Sequence, residues 1–464
     1  PVEHACWGDI KPATSFGPSC PQKNLLTGRV DGDEDCLTLN IWTPKLDPAA
    51  KLPVIVFIYG GANVLGGSYE PILSNLYDGR ALATREQAIV VTPNYRIGAL
   101  GFFADPALDA ESPNGVSGNQ GTLDQIAALK WVQANIAAFG GDPTRVMVFG
   151  ESAGAINTCT LVASPLAAGL FSRALIESGG CGAHSQTGQK ATSHALAEKL
   201  GCTSDVANCL RSLTAAQLVG ATDSFAETLK DFTKLKPSAG LVGALPWSSS
   251  VDGYVLKDFP LKVIAAGQHN KVPLVVGSNA NEGAIFAPAD TILCSQYKSD
   301  VKALFGANAD RVLAEYPCLF WQPRQAEIDV VTDFMFTCTA RHTARAAATS
   351  GAVFRYFFTH GASYGLEGPL GAYHSAELAY VFKTFGAKAY LPTPGEQRLS
   401  DNIEDYWGSL AAAGTPVTGA LGWPVYTQPT EQVLYLDTTL SAAKDARPTK
   451  CDFWDSLYGP GDGG

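Results

Sequence analysis

Charge is scarce in this 464-residue chain: Asp, Glu, Lys and Arg make up 17% of it, while 46% is hydrophobic. That balance excludes a disordered chain and leaves a globular protein with a sizeable core. No apolar run approaches the ~20 residues that a membrane-spanning helix needs, so no membrane insertion is expected. The formal net charge of −11 is spread along the sequence, which argues against nucleic acid or an anionic membrane as partner. No C-x-x-C pair points to zinc or to a redox dithiol, and no metal or cofactor is expected. The absence of an N-x-S/T sequon removes N-glycosylation. Internal repeats, linkers and low-complexity stretches are missing too, so one domain over residues 1–464 is expected.

Cysteine, in contrast, is plentiful. Eleven cysteines are too many for an ordinary cytosolic enzyme, whose thiols stay reduced, and they point to disulfides in a secreted or periplasmic protein. Pro1 is preceded by no methionine or signal-peptide pattern, so an export signal is expected to have been removed or left out.

Continuous apolar runs mark strands buried on both faces. They are Pro53 to Tyr59, Ala88 to Tyr95, Val146 to Phe149, Ala174 to Ile176, Val272 to Gly277, Val353 to Phe358 and Val433 to Leu436. Leu39 to Trp42 adds an alternating strand. Leu123 to Ala138 has helical spacing, and residues 186–250 and 296–350 read as mostly helical. Strands alternating with helices imply an α/β fold, with a mainly parallel twisted sheet, helices on both faces and helical excursions over its edge. The final YGPGDGG reads as a frayed tail.

One stretch organises the rest. The strand Val146 to Phe149 runs straight into Gly150-Glu151-Ser152-Ala153-Gly154, and a helix-forming run comes next. Strand, G-x-S-x-G and helix form the context of a nucleophile elbow; glycines beside the serine let strand and helix pass close together. A serine nucleophile needs a base, and the base needs an acid. His360 and His374 both lie after the strand 353–358, where a base is expected. His374, bracketed by small residues, is preferred. Glu282 lies just past the strand 272–277, at the sheet edge where sites form; Asp252 is its competitor. Gly61 and Ala62, directly after the strand 53–59, and Ala153, after the nucleophile, supply amides for an oxyanion hole. Asn63 and Trp247 are candidate pocket residues, though a core tryptophan would explain Trp247 equally well. Glu151 reads as a packed or paired carboxylate beside the site.

Two motifs give these residues a family. Phe139-Gly140-Gly141, then Val146-x-Val148-x-Gly150-x-Ser152-Ala153-Gly154, is one; Glu34-Asp35-Cys36-Leu37-Thr38-Leu39-Asn40-Ile41-Trp42-x-Pro44 is the other. Tyr59-Gly60-Gly61, Asn94-Tyr95-Arg96, Asn281-Glu282-Gly283 and His374-x-x-Glu377 support them. The sequence resembles the type-B carboxylesterases, the family that also contains cholinesterases and fungal lipases. The resemblance implies an α/β-hydrolase fold and a cofactor-free serine hydrolase that cleaves small-molecule esters through an acyl-enzyme. Its triad would be Ser152, Glu282 and His374, its oxyanion donors Gly61, Ala62 and Ala153. Ser178 and Glu377 match positions near the acid. The resemblance further implies the disulfides Cys20–Cys36, Cys202–Cys209, Cys338–Cys451 and Cys294–Cys318. Cys6, Cys159 and Cys181 are left over, and Cys159 is expected to be a buried free thiol.

Three departures qualify the resemblance. Ala62 stands where the family usually has a third glycine. The family normally carries a segment before the point that matches Pro1, so an N-terminal piece is expected to be missing. The loop from Cys20 to Cys36 holds no aromatic residue, which speaks against binding of choline esters through cation–π attraction; it is also short and polar, unlike the flap of a lipase. A lipase acting on longer-chain acylglycerols and a non-catalytic binding relative are the alternatives.

Overall fold

The computed structural model describes residues 11–69, 75–224, 240–287, 293–320, 322–363, 368–388, 390–445 and 447–459, together with Gly8 and Glu227. Nine strands form the main sheet: β1 (Leu39–Trp42), β2 (Leu52–Ile58), β3 (Ile89–Pro93), β4 (Gly141–Glu151), β5 (Arg173–Glu177), β6 (Leu274–Asn279), β7 (Val353–Phe358), β8 (Gln432–Leu436) and β9 (Ser441–Lys444). Their order across the sheet is β9-β8-β7-β6-β5-β4-β2-β3-β1. β2 to β8 run parallel, and β1 and β9 close the two edges antiparallel. The buried runs read from the sequence are the parallel strands, whose side chains meet helices above and below. β4 is longer than its apolar core because Gly141 pairs with Leu52 before a register shift at Val54.

The strand order decides where a site can form. After β2 the chain steps outward to β3, returns across β2 to β4, and then builds the sheet the other way. Crossovers between parallel strands are right-handed, so the reversal sends successive helices to opposite faces and opens a crevice at the carboxyl ends of β2 and β4. The Gly60–Ala62 turn leaves β2 there, and Ser152 leaves β4 there. Helix α1 (Gln120–Asn135) leads into β4, α2 (Ala153–Ala163) comes after it, and α2 packs on β4 and β5. α3 (Pro323–Val331) continues through a wide π-turn, Thr332–Thr337, into α4 (Cys338–Ala347). The long α5 (Pro394–Ala413) packs on β2 and β4, and α6 (Pro448–Tyr458) ends the described chain. The stretch 186–250 is mostly helical where described, with Gln186–Lys199, Val206–Arg211 and Ala215–Gly220 as its main helices. The tail from residue 460 onward lies outside the described residues.

Among the described residues five disulfides are formed. Four are the pairs the resemblance implied, Cys20–Cys36, Cys202–Cys209, Cys294–Cys318 and Cys338–Cys451. The fifth corrects an expectation: Cys159 is not a free thiol but is bonded to Cys181. β4 and β5 are neighbours, so the helix after one and the loop after the other are brought side by side. Cys6 lies outside the described residues.

Candidate active site

Ser152 sits on the sharp turn between β4 and α2 with φ 59° and ψ −126°. Left-handed backbone at a residue with a side chain costs about 1–3 kcal/mol and persists only where packing over-determines it. The packing here is close. A Cβ on Gly154 would strike the carbonyl oxygen of Ile58, and one on Gly150 would strike that of Gly154. The Ser152 amide donates to Glu177 O at 2.9 Å, tying the turn to β5.

The oxyanion-loop candidates lie beside it. A Cβ on Gly60 would stand 2.9 Å from Ser152 Cβ. Gly61, Ala62 and Asn63 come next, with φ of 96°, 56° and 55°. This left-handed run turns the chain back so that the Val64 amide donates to Gly61 O. Ala153 opens α2, at the end of a helix whose first amides lack intrahelical acceptors.

Glu282 and His374 come together from opposite loops. Glu282 Oε2 is 2.6 Å from His374 Nδ1, and both side chains are buried. The loops are stitched to each other. Asn281 bridges to Tyr373 as in a short parallel ladder. Asn279 donates its amide to Glu282 Oε1 at 2.6 Å and its side chain to Tyr373 O at 2.9 Å. The Asn279 side chain also reaches Glu377 Oε2. The Gly283 amide donates to Thr332 Oγ1 at 3.0 Å, which anchors the acid turn to the π-turn. Rings of Phe286 and Phe336 flank His374, with centroids 5.1 and 4.8 Å away. Burial lowers the His374 pKa from its ordinary value, which keeps the imidazole neutral and able to accept a proton. Burial pushes the Glu282 carboxyl up from its ordinary value, and Ser178 and the Asn279 amide oppose that rise.

Glu151 completes the ring of carboxylates. Its Oε1 accepts from Ser375 Oγ at 2.6 Å and lies 3.2 Å from His374 Nε2, out of hydrogen-bonding alignment. Burial raises it to about 8, with the His374 charge opposing and Glu377 reinforcing the shift. Glu177 lies one strand over, its Oε1 accepting from Trp407 Nε1 at 2.7 Å. Burial and then Glu377 hold its carboxyl well above the usual range. Ser178 and Glu377 are both buried beside this group.

The other candidates have different occupations. His360 is held between Asp437 and Glu396, 2.9 Å from each, at the end of β7. Asp252 Oδ1 accepts three backbone amides, from Tyr254, Val255 and Leu256, and so serves its own turn. Asn63 and Trp247, the candidate pocket residues, are both buried. Trp247 packs in a satellite core with Ala99 and Phe102, its ring stacked near Phe103. The Asn63 carboxamide is taken up by protein partners, among them Trp247 O. Sequence reasoning missed Asn279, Glu177, Phe286 and Phe336. Asn279 had a signal: a polar side chain at a strand end, three residues before the acid. The others become neighbours only when the sheet forms.

A model of the carboxylesterase family matches residues 1–454. The chain belongs to this family. It is 35% identical over 458 residues to para-nitrobenzyl esterase of Bacillus subtilis (strain 168), covering 96% of this chain and 88% of that protein. It is 35% identical over 447 residues to fumonisin B1 esterase of Sphingopyxis macrogoltabida, covering 91% and 77%, and 32% identical over 499 residues to mouse cholinesterase, covering 97% and 79%. Among solved structures, a PNB esterase superposes with a TM-score of 0.82 at 34% identity, over 97% of this chain and 90% of its own. As a member of the carboxylesterase family, the protein has the α/β-hydrolase fold and is a carboxylic ester hydrolase. Among the described residues no helix is long and apolar enough to cross a membrane.

Proposed function

We propose that the protein cleaves small carboxylic esters through an acyl-enzyme, with Ser152 as nucleophile, His374 as base and Glu282 as acid. The observation that carries this is the 2.6 Å Glu282–His374 bond at the carboxyl edge of the sheet where Ser152 leaves β4. Ser152 Oγ attacks the ester carbonyl carbon while its proton passes to His374 Nε2. The carbonyl oxygen takes up negative charge and is met by the amides of Gly61, Ala62 and Ala153. His374 then hands the proton to the leaving alcohol, and the Ser152 acyl ester remains. Water repeats the route, losing a proton to His374, and the carboxylic acid departs. Glu282 fixes the imidazole tautomer through Nδ1 and stabilises the imidazolium as it forms.

The five disulfides support export, since such bonds persist in oxidising compartments. The test of the catalytic reading is Ser152→Ala. The folded variant is expected to lose p-nitrophenyl acetate turnover, and turnover at the wild-type rate would refute the assignment.

A further inference from the structure

We infer that Asn63 is the positioning residue that locks the oxyanion loop to the nucleophile helix; the inference rests on the reading that Gly61 and Ala62 donate to the oxyanion. The donors of that hole come from two separate elements, the loop after β2 and the start of α2. Their mutual placement must hold to a fraction of an ångström, because a hydrogen bond to a developing charge weakens steeply when misaimed. The loop's own backbone bonds, from the Val64 and Leu65 amides to Gly61 O, close its turn but run within the loop and not to α2. Ala62 is held in a conformation that residues with side chains avoid, and Asn63 directly after it is held in a second one. Left alone, such a loop would relax.

The Asn63 side chain supplies the restraint. It is fully buried, 0% exposed. Its Nδ2 donates to Trp247 O at 3.2 Å. A carbonyl oxygen can only accept, so this contact fixes which way the amide points. Its Oδ1 then faces α2 and accepts from Asn157 Nδ2 at 2.9 Å, with Tyr95 Oη 3.4 Å away. Asn157 lies on α2, whose first residue is Ala153. Tyr95 in turn donates to Tyr59 O at 2.7 Å, at the root of the oxyanion loop. The Gly98 amide holds the backbone oxygen of Asn63 itself. One carboxamide therefore joins the loop, the nucleophile helix and the Trp247 segment into one body. Asparagine suits the position twice over: it tolerates left-handed backbone, and it offers one donor and one acceptor in opposite directions. It touches no reacting atom and acts through Ala62 and Gly61.

Asn63→Gly separates the two contributions, since glycine eases the backbone but deletes the carboxamide. In the folded variant, kcat for p-nitrophenyl acetate is expected to fall by about 10- to 100-fold, below the loss from deleting a donor outright. KM should stay within about threefold, because the ground-state ester makes little use of the hole. Affinity for an alkyl trifluoromethyl ketone, which adds to a serine Oγ and places an oxyanion in the hole, should fall in step with kcat/KM. A role in stability alone would lower the melting temperature and leave that affinity unchanged in the folded protein. Asn157→Ala, which leaves Asn63 in place, should move the same two quantities in the same direction by less, and it decides the matter if Asn63→Gly does not fold. Unchanged ketone affinity in the folded variants would overturn the inference. Failure of the wild-type protein to form the ketone adduct, or adduct formation in Ser152→Ala, would instead overturn the catalytic reading on which it rests.

Discussion

Glu282 Oε2 and His374 Nδ1 meet at 2.6 Å although 92 residues separate them in the chain. The contact exists because β6 and β7 are neighbours and their exit loops are laced by Asn279 and Asn281. In the proposed triad this contact orients the base and supports its charged form. Glu282→Gln keeps the shape but presents an amide to Nδ1 and removes the compensating charge. Its kcat is expected to fall by about 10³- to 10⁴-fold, with a smaller change in KM, measured by steady-state hydrolysis of p-nitrophenyl acetate.

Glu151 gives a prediction of opposite character. Its carboxylate stands beside His374 Nε2 and raises the His374 pKa against the lowering effect of burial. Glu151→Gln removes that support where Glu151 is ionised, above about pH 8. There kcat should fall because the imidazolium of the transition state is less stabilised, while the acid limb of the kcat/KM profile, where burial already keeps Glu151 neutral, should stay in place. An unchanged kcat above about pH 8 would contradict the placement of this charge.

His360 is expected to matter for stability and not for turnover. Hydrogen bonds to Asp437 and Glu396 raise it despite burial. Its folded pKa is thus above the ordinary 6.5, and the stability it adds is complete below 6.5 and lost as pH rises through the folded value. The two carboxyls are depressed, so their share is present above 3.8 for Asp437 and 4.5 for Glu396, and lost as pH falls further. The clasp is therefore strongest from about pH 4.5 to 6.5. His360→Gln should lower the melting temperature most in that window and least at about pH 9, with kcat within roughly threefold of wild type.

Two disulfides make separable predictions. Cys338–Cys451 spans 113 residues and ties α4 to α6. Replacing both by Ser should cost about 2–4 kcal/mol of unfolding free energy, read from denaturant titration. Cys159–Cys181 fastens α2 to the loop after β5. Ten of the eleven cysteines are paired among the described residues, so thiol titration in denaturant should find at most one free thiol per chain. Three free thiols would mean that the Cys159–Cys181 bond is not formed.

The sheet was legible because parallel strands buried on both faces write themselves as uninterrupted apolar runs, and the Ser152 turn because its close crossing demands glycine at fixed positions. Glu282 could be found just past the end of β6, and His374 in the loop after β7. The choice of His374 over His360 rested on the small residues around it; the reason His360 is otherwise engaged, its grip on Asp437 and Glu396, depends on contacts that no local pattern encodes. The same limit hid Cys181 as partner of Cys159, since the pair meets only through the adjacency of β4 and β5. The partners of Asn63 were hidden in the same way, since only the folded positions of Asn157 and Trp247 show what its carboxamide bonds to.

The most direct test of the account is covalent labelling by a fluorophosphonate, with the modified residue located by peptide mass analysis. The account predicts one label per chain, on Ser152, absent in Ser152→Ala and much slower in His374→Ala. A label on another residue, or none while ester turnover proceeds, would contradict it.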